Sequence, residues 1–321
     1  MDVSVKNQVI TKHYALYNDD CCEAIKAIKS ESIGCSVFSP PFSDLYSYSD
    51  ADEDMGNCRS YEEFFTHYGF LVEELFRIML PGRIIAVHCM DLPTHKNKGE
   101  ELGIRDFPGD IVRLFQQYRF IYHSRHCIWK DPLVTATRTK AIGLAHKQIV
   151  KDSSVCRTGI PDYILAFRKP GENPKPIPHP EGLMEYAGAR SIPRDLERFI
   201  GWKEPKTNKR SHWIWQQYAS PVWMDVRQVN VLPFTGGREE DDQKHICPLA
   251  LDTIERCLVL WSTEDDIVLS PFAGIGSEIY QAVRMGRRGI GIELKRSYFR
   301  QMCRNLESLL RKQKTTKGFE Y

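Results

Sequence analysis

A polar side chain, two prolines and an aromatic ring follow one another at Ser39-Pro40-Pro41-Phe42. They come directly after residues 36–38, an apolar run that predicts the end of a buried strand. Because neither proline has an N–H to donate, sheet pairing must stop there and the loop that follows is stiff. Such a loop can hold a hydroxyl group and a flat ring at fixed positions around a planar substrate. An ordinary strand-ending turn is the alternative interpretation.

A strand, a glycine turn and a helix are predicted near the other end of the chain. The strand is 267–269, and the turn contains Gly274 and Gly276. The helix is expected to take Ser277 as its N-cap and to run to about Met285. Glycines at such a turn let the backbone approach a ligand closely at a helix N-terminus.

The next strand of this unit ends in an acid. Gly286 is placed to end the helix, residues 289–292 predict the strand, and Glu293 follows 19 positions after Gly274. That spacing is close to the roughly 20 residues at which an acid binds ribose hydroxyls in nucleotide-binding folds. Ile279 stands where G-x-G-x-x-G has its third glycine, which favours a nucleoside ligand without a pyrophosphate. A structural β-loop-α-β crossover with glycines for packing is the alternative.

Length and composition restrict the kind of molecule that carries these residues. A chain of 321 residues suffices for one large domain, or for one domain with a smaller addition. No apolar stretch approaches bilayer-spanning length and residues 1–6 lack signal-peptide features, so we expect a cytoplasmic protein. The ten cysteines include no Cys-x-x-Cys pair, and no metal is expected. A net charge of +2 neither predicts nor excludes nucleic-acid binding.

The two motifs together resemble the amino-group DNA methyltransferases, which use S-adenosylmethionine (AdoMet). In that family the catalytic tetrapeptide is Asp, Asn or Ser, then Pro-Pro, then an aromatic residue, and the cofactor loop reads Pro-Phe-x-Gly-x-Gly. The order here, catalytic motif first and cofactor loop last, resembles the permuted β group. Further segments that fit the pattern are 14–21, 80–87, 126–130 and 245–250. Asp19 replaces a family glycine, and the Gln and Lys that the family has in the last segment are absent.

The resemblance implies an α/β fold, with a doubly wound, mostly parallel, seven-stranded sheet of the Rossmann-like AdoMet-methyltransferase type and one antiparallel strand. Residues 120–129 and 162–168 are expected to pair as its antiparallel hairpin. Four parts are predicted: a catalytic half at 1–168, a target-recognition insert at 169–243, an AdoMet-binding half at 244–312 and a tail at 313–321.

The resemblance also implies roles for the motif residues. Ser39 Oγ and the Pro40 carbonyl would accept the hydrogens of an exocyclic amino group, Pro41 would stiffen the loop, and Phe42 would stack on a flipped base. The predicted AdoMet contacts are Asp20, Phe272, Ala273, Gly274, Ile275, Gly276 and Glu293. Asp20 would lie near the adenine, or act as an N-cap for a helix over 21–28, or both. No metal is needed, since the sulfonium already activates the methyl group.

Three functions remain open on the sequence. A DNA methyltransferase, in a restriction pair or stand-alone and phage-borne, is the first. Ser39 slightly favours N4-cytosine over N6-adenine as its target. A methyltransferase for RNA or a protein amide is the second. A DNA-binding protein that has lost catalysis is the third, and the intact motifs argue against it.

Double-stranded DNA is the expected partner, bound by a monomer or a homodimer. Residues 202–215 interleave basic and aromatic residues, as nucleic-acid-binding segments do, although a solvated loop over a small aromatic core is the alternative. The predicted DNA contacts are Trp129, Lys130, Arg138, Lys140, Lys147, Lys206, Lys209 and Arg210. Asp44, Tyr46 and Tyr48 could close over the base, or form an ordinary surface loop. The acidic run 238–242 is expected to be a solvated loop facing away from DNA.

Overall fold

The computed structural model describes residues 7–42, 54–94, 103–134, 146–155, 158–237 and 248–317. Its strands are β1 (Asn7–Ile10), β2 (Tyr14–Asn18), β3 (Ile33–Phe38), β4 (Met79–Met90), β5 (Leu92–Pro93), β6 (Ile104–Arg105), β7 (Ile121–Ile128), β8 (Asp162–Arg168), β9 (Val222–Trp223), β10 (Ile267–Ser270) and β11 (Arg288–Ile292). Its α-helices are α1 (Cys21–Ala24), α2 (Tyr61–Ile78), α3 (Phe107–Gln117), α4 (His146–Lys151), α5 (Lys209–Ala219), α6 (Leu251–Trp261), α7 (Ser277–Arg284) and α8 (Arg296–Lys317). Among the described residues, no helix is long and apolar enough to span a bilayer.

One mixed sheet organises the molecule. Its strand order is β1-β2-β11-β10-β3-β4-β8-β7-β9, while β5 and β6 form a separate ribbon. Strands β2, β11, β10, β3 and β4 are mutually parallel, and β8 lies antiparallel between β4 and β7. The predicted doubly wound α/β class is therefore confirmed, as is the antiparallel pairing of β7 with β8.

The predicted number of strands is wrong, because the described part of the sheet has nine strands rather than seven. The two additional strands lie at its edges: β1 pairs antiparallel with β2, and β9 pairs parallel with β7. The sheet thus contains two antiparallel strands rather than one. Strand β1 is largely exposed and β9 is two residues long, so neither carries the apolar alternation that predicts a strand.

The parallel strands bury both faces, because helices cover the sheet on each side. Phe38 and Val87 point into a core with helices α2 and α3. The preceding residue of each strand, Val37 and Ala86, points to the opposite face, against Ile254 and its neighbours in α6. Helices α7 and α8 pack over β2 on that second face. This layering leaves the carboxyl ends of the parallel strands uncovered, which is where doubly wound folds bind ligands. We call this side of the sheet its carboxyl edge, and the side with the opposite strand ends its amino edge.

The segment after β8 packs on the outer side of α6. Residues 169–193 contain no helix or strand, and a 3₁₀ helix at Arg194–Phe199 and helix α5 follow them. Arg256 of α6 is fully buried beneath this segment, where its guanidinium donates to the Ala187 carbonyl (2.6 Å) and to Asp225 (2.8 Å). Ile214 and Tyr218 of α5 pack against Val259. The predicted insert is thus joined to the sheet domain by a buried ion pair.

Candidate active site

The Ser39 loop leaves β3 at the carboxyl edge of the sheet. Pro40 is buried, while Ser39, Pro41 and Phe42 keep partial exposure. The Phe42 ring packs edge-on against Phe107, with 6.1 Å between ring centroids. Phe107 is fixed because Asp106 caps α3, accepting a hydrogen bond from the Gly109 N–H. The loop therefore offers a hydroxyl group and one side of an aromatic ring from a rigid base.

The Ser39 hydroxyl contacts a chain of polar side chains. Its Oγ lies 3.0 Å from His88 Nδ1, and His88 Nε2 lies 2.9 Å from Asp162 Oδ2. The same carboxylate oxygen is 2.5 Å from Lys130 Nζ. Burial acts to raise the pKa of Asp162, but the opposing effects of His88 and Lys130 are larger and leave that pKa below its ordinary value. The site thus contains a buried, ionised carboxylate one imidazole away from Ser39.

The sequence does not predict a role for His88 or Asp162, and it predicts a DNA contact for Lys130. The Lys130 ammonium is instead held in the ion pair with Asp162, and only 20% of its side chain is exposed. A polar residue within the apolar run 84–90 was the one available sign of His88. Nothing in the sequence indicated its partner, because Asp162 lies 74 positions further along the chain.

The two glycines of the second loop have different surroundings. Both have positive φ, +53° at Gly274 and +87° at Gly276. A Cβ added to Gly274 would meet no atom within 4 Å, whereas one added to Gly276 would lie 2.6 Å from Met302 Cγ. Gly276 is thus required by packing against α8, and Gly274 faces open space that a ligand can occupy. The packing role of the alternative interpretation is thus present at Gly276, and a role for Gly274 in ligand approach stays a prediction.

The predicted N-cap of the following helix is wrong by one residue. Gly276 takes the N-cap position, and Ser277 is the first helical residue. The left-handed conformation of Gly276 turns the chain into the helix one position earlier than expected. The buried Ser277 Oγ has no hydrogen-bond partner within the described structure. Gly286, with φ of +79°, lies directly after the helix end, as predicted.

The Glu293 carboxylate is tied to the glycine loop. Its Oε2 accepts from the Gly274 N–H and its Oε1 from the Lys295 N–H, each at 2.8 Å. Burial outweighs these hydrogen bonds and raises the pKa of Glu293 to about 7. Glu278, buried at the start of α7, has its pKa raised to about 8 by burial, and the nearby charge of Glu293 adds to the effect. Two carboxylates thus adjoin this loop, and both are costly to ionise without a nearby positive charge.

Asp20 follows the end of β2, the strand that pairs with β11, and Glu293 follows the end of β11. The Asp19 N–H donates to the Glu293 carbonyl (3.2 Å), which places the ends of β2 and β11 side by side. Asp20 caps α1, since its Oδ1 accepts from the Cys22 N–H at 3.0 Å. The predicted helix over 21–28 is α-helical only to Ala24 and continues as a 3₁₀ turn. The capping role is present, and a role in adenine binding stays a prediction.

The remaining predicted cofactor residues are largely packed inward. Ala273 and Ile275 are buried, and the Ile275 carbonyl accepts from Asn305 of α8. The Phe272 ring lies 5.8 Å from that of Phe38, the residue directly before Ser39. This contact joins the two predicted motifs at the ends of the adjacent strands β3 and β10.

The predicted DNA contacts are divided between two regions. Trp129 directly follows β7, at the same sheet edge as Ser39, and Lys147 lies further along the connection from β7 to β8; both are exposed. Lys206 and Lys209 are exposed beside the start of α5. That helix packs against Val259 near the end of α6, which leads to the opposite, amino edge of the sheet. The structure therefore does not bring the second group near Ser39.

Other predicted residues have mixed or undescribed environments. Arg210 is half-buried, with its guanidinium 3.4 Å from the Met184 carbonyl. Within 202–215, Trp213 packs on Tyr186 while Trp202 and Trp215 remain exposed, so the segment is partly the small aromatic core of the alternative interpretation. Outside the described residues lie Asp44, Tyr46, Tyr48, Arg138, Lys140 and the acidic run 238–242.

Comparison with known proteins gives consistent matches. A family model described as a DNA methylase matches residues 33–304. The type II methyltransferase M.BamHI of Bacillus amyloliquefaciens is 21% identical over 282 residues, which cover 87% of this chain and 54% of that enzyme. The chain thus spans just over half the length of that relative. The type II methyltransferase M.MthZI of Methanothermobacter thermautotrophicus is 24% identical over 290 residues, covering 84% of this chain and 70% of that enzyme.

Two solved structures share the fold. The cytosine-N4-specific PvuII DNA methyltransferase superposes with a TM-score of 0.61 at 14% identity, over 96% of this chain and 94% of that one. A Thermus thermophilus protein complexed with S-adenosyl-L-methionine gives a TM-score of 0.58 at 19% identity, over 93% of this chain and 96% of its own. At these identities the likeness establishes the architecture, and the argument for chemistry depends on this chain's own residues.

Proposed function

The chain belongs to the DNA methylase family, and on that basis we propose that it transfers a methyl group from AdoMet to an exocyclic amino group of a DNA base. One observation carries the proposal. The Ser39 loop and the Gly274 loop leave adjacent parallel strands at the same edge, in contact through Phe38 and Phe272. A methyl acceptor bound at the first loop would therefore face a donor bound at the second.

The second loop fits AdoMet in shape and in charge. The open side of Gly274 leaves room for the cofactor against the backbone, and Glu293 has lone pairs left for ribose hydroxyls. Glu278 places a further buried carboxylate near a cofactor that bears a positive sulfonium. Bound AdoMet supplies a methyl group that a neutral nitrogen can attack without help from a metal ion.

The first loop fits a planar base with an amino group. Ser39 Oγ and the Pro40 carbonyl would accept the two amino hydrogens, which draws the nitrogen towards tetrahedral geometry and frees its lone pair. The exposed side of Phe42 would stack on the base. Extruding a base from the duplex costs a few kcal/mol, which stacking and hydrogen bonds partly offset. Alignment of the nitrogen with the methyl carbon would provide most of the rate enhancement.

The proposed target is the N4 amino group of cytosine rather than N6 of adenine. Ser39 at the first position of the tetrapeptide supports this choice, and the cytosine-N4-specific PvuII enzyme has the same architecture. The test is enzymatic digestion of DNA methylated by the protein, followed by mass spectrometry of the nucleosides. N4-methylcytosine is expected, and N6-methyladenine without N4-methylcytosine would contradict the choice.

Duplex DNA is proposed to lie across the edge that carries Ser39. The exposed Trp129 and Lys147 of the β7–β8 connection support this position. Radiolabelled AdoMet offered with duplex DNA, structured RNA and a mixture of proteins tests the substrate class. Label is expected in DNA; label confined to RNA or protein would overturn the proposal. Tight DNA binding with no transfer to any acceptor would identify a binding protein that has lost catalysis.

A further inference from the structure

The hydrogen-bonded side chains of Ser39, His88 and Asp162, which we call the polar relay, donate their hydrogens in one direction. A carboxylate can only accept, so the 2.9 Å contact with Asp162 requires a hydrogen on His88 Nε2. In the neutral imidazole, Nδ1 is then unprotonated and accepts the Ser39 hydroxyl hydrogen across 3.0 Å, while the other acceptor within reach, the His88 carbonyl, is farther away at 3.4 Å. The lone pairs of Ser39 Oγ remain available to accept a hydrogen from a bound substrate. Ser39 is thereby oriented as an acceptor for an amino group.

We propose that His88 and Asp162 are positioning residues that make Ser39 a proton acceptor, so that the proton released from the methylated amino group passes through Ser39 Oγ to His88 Nδ1. The inference rests on the proposed function, since it needs an amino group at Ser39. It assigns roles to two residues outside the tetrapeptide, and to Lys130 as the cation that holds Asp162 in place.

The proposed step balances in atoms and charge. The nitrogen lone pair forms the new bond to the methyl carbon as the carbon–sulfur bond breaks, and that electron pair stays on sulfur. The nitrogen then carries a positive charge and gives one proton to Ser39 Oγ, while Ser39 gives its own hydroxyl proton to His88. The resulting imidazolium faces the Asp162 carboxylate and later returns its proton to water. A hydroxyl group, otherwise a weak base, acquires the basicity of an imidazole.

The pairing of the strands fixes the distances between the side chains of the relay. Met90 of β4 pairs with Asp162 of β8, and His88 pairs with Ile164, so His88 and Asp162 are diagonal neighbours on one face. Lys130 lies two residues after the end of β7, whose Ile128 also pairs with Asp162. Two adjacent strands thus hold His88 and Asp162, and groups held on strands keep their spacing better than groups held on loops.

Charge also favours this arrangement. Only 5% of Asp162 is exposed, and its Oδ1 has no hydrogen-bond partner within the described residues. A buried carboxylate with an unused oxygen costs stability unless positive charge is close. The Lys130 ammonium is 2.5 Å from the other oxygen, and an imidazolium at His88 would supply a second positive charge when the proton arrives.

The alternative is that the contact between His88 and Asp162 only stabilises the sheet. The protonation of the His88 ring distinguishes this structural role from a role in the relay. We expect ¹⁵N NMR of the wild-type protein to show the His88 tautomer with hydrogen on Nε2 and none on Nδ1. A hydrogen on Nδ1 of the neutral ring would overturn the relay, because Ser39 would then receive a hydrogen bond from the ring. This measurement requires neither substrate nor a variant.

Single-turnover methyl transfer provides the kinetic test. His88→Asn is expected to lower the transfer rate by about 10² to 10⁴, the usual contribution of general acid–base catalysis, with AdoMet affinity within about threefold of wild type. The matched control is His126→Asn, which removes a buried imidazole from β7, on the far side of β8, where it bonds to the Ser220 carbonyl instead. It should keep the transfer rate within about threefold. A wild-type rate in His88→Asn would overturn the proposal.

A double-mutant cycle with Ser39→Ala tests whether His88 acts through Ser39. The double variant is expected to be no slower than Ser39→Ala, because the relay is already broken. Rate losses that multiply would mean independent roles and would overturn the inference. If the wild type methylates RNA instead of DNA and His88→Asn abolishes that transfer, the DNA substrate is wrong and the relay is supported.

Discussion

Gly274 and Glu293 are the two residues on which the proposed cofactor site depends most. Gly274 combines a left-handed backbone with an open side, and its N–H is held by the Glu293 carboxylate. A side chain at position 274 would enter the open space in which we propose that the cofactor binds. A substitution at position 274 would both strain the backbone and fill this space. The two effects can be separated with Gly201 of the predicted insert, which has a similar backbone conformation.

Gly274→Ala is therefore expected to weaken AdoMet binding by about tenfold or more. Gly201→Ala is the matched control, because Gly201 has φ of +73° and also nothing within 4 Å of an added Cβ. Both changes cost about 1 kcal/mol of backbone strain, but only the first adds a methyl group to the cofactor loop. Isothermal titration with AdoMet measures the difference. Equal affinities for the two variants would contradict the placement of the cofactor at Gly274.

Glu278 and Glu293 should make the stability of the AdoMet-free protein fall as pH rises. Their pKa values are raised from 4.5 to about 8 and about 7, so between pH 4.5 and 8 the folded state holds protons that the unfolded state has lost. The free energy of unfolding then decreases with pH, by up to about 1.4 kcal/mol per pH unit for each group. Glu278→Gln should flatten this slope in urea unfolding measured from pH 5 to 8. An unchanged slope would show that Glu278 does not titrate in this range.

Among the secondary-structure elements, helix α6 is the one that connects the segment after β8 to the sheet. Its Arg256 is fully buried between Asp225 and the rings of Tyr218 and Trp223, whose centroids lie 5.6 and 5.3 Å from the guanidinium carbon. Tyr186 also donates to the Asp225 carboxylate, so several parts of the segment meet at one ion pair. Loss of the cation would leave a buried carboxylate facing a cavity.

Arg256→Met is expected to lower the free energy of unfolding by about 3–5 kcal/mol, the usual cost of removing one partner of a buried ion pair. Arg311→Met is a suitable control, because Arg311 is 83% exposed and lies 3.7 Å from Glu307 on α8. An exposed pair of this kind contributes at most about 0.5 kcal/mol. Urea unfolding of both variants gives the comparison. Similar small losses in the two would mean that packing, and not the ion pair, holds the segment.

At the scale of the whole molecule, the described residues include two exposed lysines in separate parts of the chain that could each contact DNA. Lys147 lies in the connection from β7 to β8, which leaves the sheet at the edge that carries Ser39, whereas Lys209 begins α5 near the other edge. Both side chains are exposed, so either can reach a phosphate group. Salt dependence separates them, because each phosphate contact contributes about 0.9 to the slope of log K against log salt concentration.

Lys147→Ala is expected to reduce that slope by about 1, while Lys209→Ala leaves it unchanged. The physical reason is that, in the proposed complex, DNA with a base at Ser39 would lie at the edge of the sheet from which the connection from β7 to β8 leaves. Fluorescence anisotropy with a labelled duplex, titrated at several salt concentrations, measures the slopes. The opposite result would place DNA over the α5 segment and restore the original prediction for Lys206, Lys209 and Arg210.

Local pattern was sufficient for the elements around both motifs. Strands β3, β10 and β11, the helix after Gly276 and the pairing of β7 with β8 follow from apolar runs and from the positions of proline and glycine. These signals act over a few residues, so the sequence contains them completely. Strands β1 and β9 escaped prediction because their pairing depends on neighbours already in place and not on a pattern of their own.

The amino-acid sequence was enough to predict a stiff Ser-Pro-Pro-Phe loop and an open glycine loop, since proline and glycine restrict or free the backbone wherever they occur. The hydrogen-bond partners that follow from Ser39, His88 and then Asp162, are evident only in the tertiary structure. His88 and Asp162 lie 49 positions after Ser39 and 74 positions after His88 respectively, and only the register of β4 on β8 makes them neighbours. The same packing removed Lys130 from the set of free cations. Hydrogen bonds and ion pairs depend on distance in space, and that distance is set by strand order, which no local pattern contains.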